Sequence, residues 1–269
     1  MKLRDAITLL RDAGIESAAY DARELFSTIG KMRKSDLVSA EASCDSPALL
    51  DAVTRRSRRE PLQYIIGEVG FYRETYTVTT DCLIPRADTE LLVEYAVKNL
   101  PEGARFVDLC TGSGCVAIST LNNTVKTTAI AVDVSAGALS VARKNAERAK
   151  VADRITLIEA DATANPVCNE CFAVLSNPPY VTDSAYRELM PEIYFEPKIA
   201  FVGGEDGLNF YRSITALYRD VISDGGFIAF EIGYDQADAL RAIATQNGMY
   251  AEILRDYSGN NRVAVLKKR

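Results

Sequence analysis

The run Ser176-Asn177-Pro178-Pro179-Tyr180 carries the most specific chemistry in this 269-residue chain. It follows Ala173-Val-Leu, an apolar stretch that reads as a buried strand. Two consecutive prolines cannot continue a hydrogen-bonded ladder, and they stiffen whatever turn they form. A turn so fixed holds the Asn177 side-chain oxygen and the Pro178 carbonyl as neighbouring acceptors, with Pro179 as the brace and Tyr180 offering an aromatic face. Two acceptors beside one ring suit a planar amide or an aryl amine, whose two N–H bonds need partners and whose face can be stacked. A plain Asx-Pro turn accounts for Asn177-Pro178 but not for the whole run.

A second group lies upstream. Val107-Asp-Leu-Cys-Thr-Gly-Ser-Gly-Cys-Val-Ala117 reads as a strand, a turn with Gly112 and Gly114, and a helix start. Such a turn lets backbone approach a ligand and aims helix N–H groups at it. Asp133 ends the next strand, nineteen residues after Gly114, where an acid commonly grips a ribose hydroxyl. Asp161-Ala162 follows a third strand. Each aspartate alone could be a helix cap or a solvated loop residue; with the glycine turn they make three contributions at consecutive strand ends, which point to a nucleoside ligand. Gly112-x-Gly114-x-x-Ala117 formally satisfies a dinucleotide fingerprint. Asp108-x-x-x-Gly112-x-Gly114 is similar to motif I of S-adenosyl-L-methionine methyltransferases, in which an acid helps hold the methionine end. The cofactor-binding set on that reading is Cys110, Thr111, Gly112, Ser113, Gly114, Asp133, Asp161, Ala162 and Asn177.

Composition removes other chemistries. The chain has no His, so Ser-His and Cys-His nucleophile pairs, His-ligated zinc and His acid–base catalysis are excluded. Of six Cys, only Cys168 and Cys171 form a C-x-x-C, too few for a four-ligand zinc site, and no metal is expected. The net charge of −6 argues against a domain devoted to neutralising a phosphate backbone. The charged start Met1-Lys-Leu-Arg-Asp lacks a signal-peptide core, and no apolar stretch is long enough to span a bilayer, so a cytoplasmic protein with reduced thiols is expected.

The elements that must position these residues follow from periodicity. Residues 1 to about 60 read as helices: Leu3, Ile7 and Leu10 share one face, as do Ala22, Leu25, Phe26 and Ile29, and a third helix starts at Ser46-Pro47. That helix ends in Arg55-Arg56-Ser57-Arg58-Arg59, read as a solvated terminus with an acidic or RNA-bearing partner as the alternative. Gln63 to Val78 reads as a strand-like hairpin around Gly67 and Gly70. After Pro101, strands are expected at 105–109, 128–132, 155–160, 172–175, 226–232, 249–254 and 262–267, with helices at 114–121, 136–150, 207–223 and 235–247. Strands alternating with helices imply an α/β fold with a parallel sheet covered on both faces. The expected division is a helical substrate-recognition domain plus hairpin linker at 1–75, and a Rossmann-like class I methyltransferase domain at 76–269.

The chain resembles the protein N5-glutamine methyltransferases that modify class 1 peptide release factors, the PrmC/HemK family. The resemblance runs through Arg59-Glu-Pro-Leu-Gln-Tyr-Ile-Ile-Gly67, Phe71-Tyr72, Ile84-Pro-Arg-Ala-Asp-Thr-Glu90, the 110–114 loop, Asn177–Tyr180, Phe195-Glu-Pro197, Gly203-Gly-Glu-Asp-Gly207, Glu231-Ile-Gly233 with Gln236, and Asn261-Arg-Val-Ala-Val. It implies methyl transfer from S-adenosyl-L-methionine to the glutamine of the factors' GGQ motif, with Asn177, Pro178 and Tyr180 catalytic and Asn177 to Tyr180 binding the substrate. The implied partners are class 1 release factors, with no membrane and no nucleic acid required; a monomer is expected. A ribosomal-protein glutamine or a nucleic-acid adenine N6 is the alternative acceptor, though the latter would want a basic target-recognition domain. Three positions depart from the family pattern: Ala87 replaces a proline, Cys110 a glycine, and Ala162 an aromatic that would stack on adenine.

Overall fold

The computed structural model describes residues 1–39 and 41–269. They form two units. The first comprises Met1–Glu68 together with Met190–Phe195, the second Val69–Leu189 together with Glu196–Arg269.

The first unit is helical: α1 (Leu3–Asp12), α2 (Ala18–Thr28), α3 (Pro47–Ser57) and α4 (Leu62–Ile66). Leu3, Ala6 and Leu10 on α1, Ala22, Leu25 and Phe26 on α2, and Leu49 and Val53 on α3 are buried in one core. The Ser46 hydroxyl accepts from the Leu49 N–H at 3.3 Å, with Pro47 in the first turn. Two sequence expectations are corrected here. Gln63–Ile66 is the helix α4, not part of a strand: it follows Pro61, buries Leu62 and Ile65 in the helical core, and stops at Gly67 with φ +85°. A short apolar run carries no period that separates helix from strand. The arginine run is also not a solvated terminus, because Arg56 is buried between Asp21 at 2.7 Å and Glu192 at 3.2 Å. Arg59 meets Glu192 at 2.8 Å, and Arg55 pairs with Glu60.

The second unit opens with the hairpin β1 (Glu68–Phe71) and β2 (Glu74–Thr77), whose first residue closes the first unit. It continues with α5 (Glu90–Asn99), β3 (Arg105–Leu109), α6 (Cys115–Asn122), β4 (Thr128–Asp133), α7 (Ala136–Arg148), β5 (Ile155–Glu159), β6 (Cys171–Ser176) and α8 (Asp183–Tyr186). The last elements are α9 (Asn209–Tyr218), β7 (Ile222–Glu231), α10 (Ala237–Gln246), β8 (Met249–Arg255) and β9 (Asn261–Lys268). Among the described residues the main sheet has seven strands in the order β5-β4-β3-β6-β7-β9-β8. Pairing from β5 to β7 is parallel, and β9 runs antiparallel to both its neighbours.

Strand residues alternate between two cores, as pleating requires. Phe106, Ala173, Leu175 and Phe227 face one; Val107, Leu109, Val174 and Ile228 face the other. The chain starts at β3 and builds outward both ways, so the order reverses between β3 and β6. In open α/β sheets the crevice beyond the carboxyl ends at such a point binds ligand. No helix among the described residues is long and apolar enough to cross a membrane.

Candidate active site

The loop after β3 is held in an unusual backbone conformation. Cys110, Gly112 and Gly114 all have positive φ, at 60°, 55° and 82°. Gly114 needs its identity twice over: a Cβ there would also lie 2.9 Å from Ile118 Cδ1 and 3.2 Å from Ala142 Cβ. The Thr111 hydroxyl donates to Asp108 Oδ2 at 2.6 Å, and the Ala117 N–H reaches the same oxygen at 3.2 Å. Asp108 Oδ1 and Ser113 Oγ are buried without a hydrogen-bond partner among the described residues. Burial pushes the Asp108 carboxyl up to about 7. Asn145 on α7 anchors the loop, donating to the Ser113 carbonyl at 2.9 Å and the Thr77 carbonyl at 3.0 Å.

Asp133, at the end of β4, accepts from the Gly112 N–H at 2.9 Å and the Ser135 N–H at 3.0 Å. Burial raises its pKa against those hydrogen bonds. Asp161 is exposed and accepts from both the N–H and the hydroxyl of Thr163 at 2.8 and 2.7 Å, which lower its pKa.

These strand ends border a cleft of about 230 Å³. Of the residues singled out from sequence, Cys110, Gly112, Asp133, Asp161, Ala162, Asn177 and Pro179 line it. Thr111, Ser113, Gly114, Pro178 and Tyr180 are not among its lining side chains; Thr111 and Ser113 are buried in the loop, and Pro178 is buried in the turn. Residues that sequence reasoning did not single out complete the lining, among them Asp81, Cys82, Ser135, Pro197 and Phe210. Ser135 was within reach of the motif, two positions past Asp133; Asp81 and Phe210 are brought in by tertiary packing.

The Asn177–Tyr180 turn is gripped from behind. Asn177 is half-buried, and its Nδ2 donates to Thr89 Oγ1 at 3.2 Å. Thr89 donates to Glu231 Oε2 at 2.5 Å, and the Tyr180 hydroxyl donates to Glu231 Oε1 at 3.3 Å. The Ser176 hydroxyl ties the end of β6 to the Leu109 carbonyl at 2.7 Å. The Gln236 side chain donates to the Tyr180 carbonyl at 3.2 Å, and Gly207, at φ +72°, lies so close that a Cβ would sit 2.3 Å from that same oxygen. Glu196 accepts from the Ile84 N–H at 2.9 Å and pairs with Arg86, fixing the segment that leads into Thr89. Cys168 and Cys171 sit at the opposite end of β6 from Asn177; hydrogen bonding from Cys171 pulls the Cys168 thiol below its ordinary value.

A switch-point sheet carrying a glycine loop, strand-end acids and an Asn-Pro-Pro-Tyr turn defines a class I methyltransferase. Residues 86–195 match the methyltransferase small domain model and residues 2–67 the PrmC N-terminal domain model. A release factor glutamine methyltransferase of Caulobacter vibrioides is 34% identical over 264 residues, covering 95% of this chain and 91% of that one. The protein of the same description from Thermodesulfovibrio yellowstonii is 36% identical over 258 residues, covering 92% of each. The chain belongs to the release factor glutamine methyltransferase family. In fold alone it is similar to the ribosomal protein L11 methylase of Lactobacillus delbrueckii subsp. bulgaricus, with a TM-score of 0.52 at 16% identity over 69% of this chain and 81% of that one.

Proposed function

We propose that the cleft transfers a methyl group from S-adenosyl-L-methionine to the side-chain nitrogen of a glutamine in class 1 peptide release factors, at their GGQ motif. The observation that carries this reading is the Asn177 carboxamide at the cleft. Its nitrogen is engaged by Thr89 while Oδ1 makes no hydrogen bond among the described residues, which leaves an acceptor for a substrate amide.

The residues present fit the cofactor. Asp133 and Asp161 supply carboxylate acceptors for sugar hydroxyls, and the apolar wall at Ala162 and Phe210 suits a purine face. The unpartnered, buried Asp108 oxygen is the natural complement of an ammonium group, since a buried acceptor left alone costs free energy. When bound, S-adenosyl-L-methionine supplies an electrophilic methyl on a sulfonium.

The protein's own work is orientation. An amide nitrogen is a poor nucleophile because its lone pair is delocalised. Asn177 Oδ1, with the Pro178 carbonyl, accepts the two substrate N–H bonds and aims that nitrogen along a single line of attack. The same acceptors favour the positive charge that develops on nitrogen in the transition state. With no His in the chain, the extra proton leaves to water. The first unit recognises the protein acceptor, as befits a helical body with its own core, and neither nucleic acid nor a second copy is required.

Incubating the purified protein with methyl donor and with release factors or ribosomal proteins separately, followed by peptide mass spectrometry, tests the assignment. A methyl group on the GGQ glutamine is expected. Methylation confined to a ribosomal protein, or to adenine in added nucleic acid, would replace the acceptor named here.

A further inference from the structure

An Asn carboxamide has two ends, and only one can serve an amide substrate. With Oδ1 toward the cleft it accepts N–H bonds; turned over, it presents its own NH₂ to the substrate's NH₂. Two deeply buried residues, each 2% exposed, decide between these orientations. Thr89 has one hydroxyl proton. It lies 2.5 Å from Glu231 Oε2, and a carboxylate there can only accept, so the Thr89 proton is committed to Glu231. What Thr89 has left for Asn177 is a lone pair, and a lone pair can meet only the NH₂ end. The second carboxylate oxygen, Oε1, accepts from the Tyr180 hydroxyl at 3.3 Å, so one carboxylate sets both polar side chains of the turn.

We infer that Thr89 and Glu231 are positioning residues for the methyl transfer, with the Glu231 carboxylate fixing the sense of the Asn177 amide through the Thr89 hydroxyl. The inference rests on the reading of the cleft as a glutamine methyltransferase site. Neither residue lines the cleft, and both act through Asn177.

The relay depends on charge. If Glu231 takes up a proton it can donate to Thr89, which is then free to donate to Asn177, and the amide oxygen turns inward. Burial raises the Glu231 pKa; the Thr89 hydrogen bond, Arg262 and the Tyr180 hydrogen bond oppose the rise, and Asp88 adds to it. Arg262 itself is held by Asp88 at 3.1 Å and Asp256 at 3.3 Å. The Tyr211 hydroxyl, from α9, donates to the Glu231 backbone carbonyl at 3.0 Å, and Cys115 on α6 is a further titratable neighbour.

The test is single-turnover methylation of intact release factor at saturating methyl donor, over an acid-to-neutral pH series, with cofactor affinity and melting measured alongside. Thr89→Val keeps the shape and removes the hydroxyl; the single-turnover rate is expected to fall about 10- to 100-fold, the scale on which misaligned reacting groups lose rate, with cofactor affinity unchanged. Thr89→Ser restores most of the rate. Glu231→Gln, which preserves packing if the valine variant does not fold, slows the reaction and removes the acid limb of the wild-type profile. Thr89→Val at the wild-type rate, Thr89→Ser as slow as Thr89→Val, or an acid limb that survives in Glu231→Gln overturns the inference alone. A wild-type protein that leaves release factor unmodified overturns the reading of the site and the inference with it.

Discussion

At the scale of single residues, the proposed reading gives Asn177 the acceptor amide and Asp108 the ammonium group of the methyl donor, and each assignment can be tested alone. Asn177 ends a strand in a half-buried turn, so Asn177→Ala opens no core cavity and should leave the melting temperature nearly unchanged. Loss of its acceptor leaves one substrate N–H unpaired, and single-turnover methylation is expected to fall on the order of 100- to 1000-fold. A fully active alanine variant would reduce the turn to scaffolding. Asp108 is held up to about 7 by burial, above the ordinary carboxylate value near 4. Between those values the folded protein binds a proton that the unfolded chain does not, so stability falls as pH rises through that window. An ammonium beside the carboxyl favours its charged form, and binding near neutrality should release a fraction of a proton. Calorimetry in buffers of different ionisation enthalpy should reveal that release in the wild type and not in Asp108→Asn. A binding heat independent of buffer in the wild type would remove Asp108 from the ligand.

At the scale of elements, the site is a set of strand ends braced by loops distant in sequence. The 203–207 loop meets the Asn177–Tyr180 turn through backbone, with the Gly203 N–H donating to the Val181 carbonyl at 2.9 Å. Gly207→Ala would place a Cβ 2.3 Å from the Tyr180 carbonyl at a positive φ. The variant should lose about 1–3 kcal/mol of stability by denaturant unfolding and more than tenfold of the methylation rate; unchanged values in both would show that the loop yields freely. These elements were unevenly legible in the sequence. Strands β3 to β6 lie within a residue or two of where periodicity puts them: β3, β4 and β6 are mostly buried and read as dense apolar runs between turns, and β5, half-exposed at the sheet edge, still carries Ile155, Leu157 and Ile158. Cys110, Gly112, Asp133, Asp161 and Asn177 were legible as strand-end residues for the same reason. The helix at Leu62–Ile66 was not, since five helical residues leave no period to count. Thr89 and Glu231 stand 142 residues apart, and no local pattern announces that one will donate to the other. The buried Arg56 is a case of the same kind, a charge that looks solvated until a distant Asp21 and Glu192 are brought to it.

At the scale of the whole molecule, the hairpin β1–β2 belongs with the methyltransferase unit and not with the helical one. Tyr76 on β2 is 1% exposed and hydrogen-bonds to Ser119 at 2.6 Å inside the second unit's core. A shortened chain beginning at Glu68 should therefore keep cofactor binding while losing methylation of intact release factor. One beginning at Thr79 should be less stable by about 3–5 kcal/mol, the usual cost of deleting a buried aromatic side chain. Comparing denaturant midpoints and cofactor affinity of the two chains checks this, and equal midpoints would detach the hairpin from the second unit's core. The six residues Met190–Phe195 have a consequence on another axis, that of time. The ribosome makes the chain from its N-terminus, and Arg59 is 133 residues ahead of the Glu192 it pairs with. At synthesis rates of about 5–20 residues per second, Arg59 waits roughly 7 to 27 seconds for that partner. Arg56 has Asp21 from the outset but gains Glu192 only then. The helical unit, made before the sheet, thus closes its own ion-pair network only after most of the parallel sheet has been synthesised.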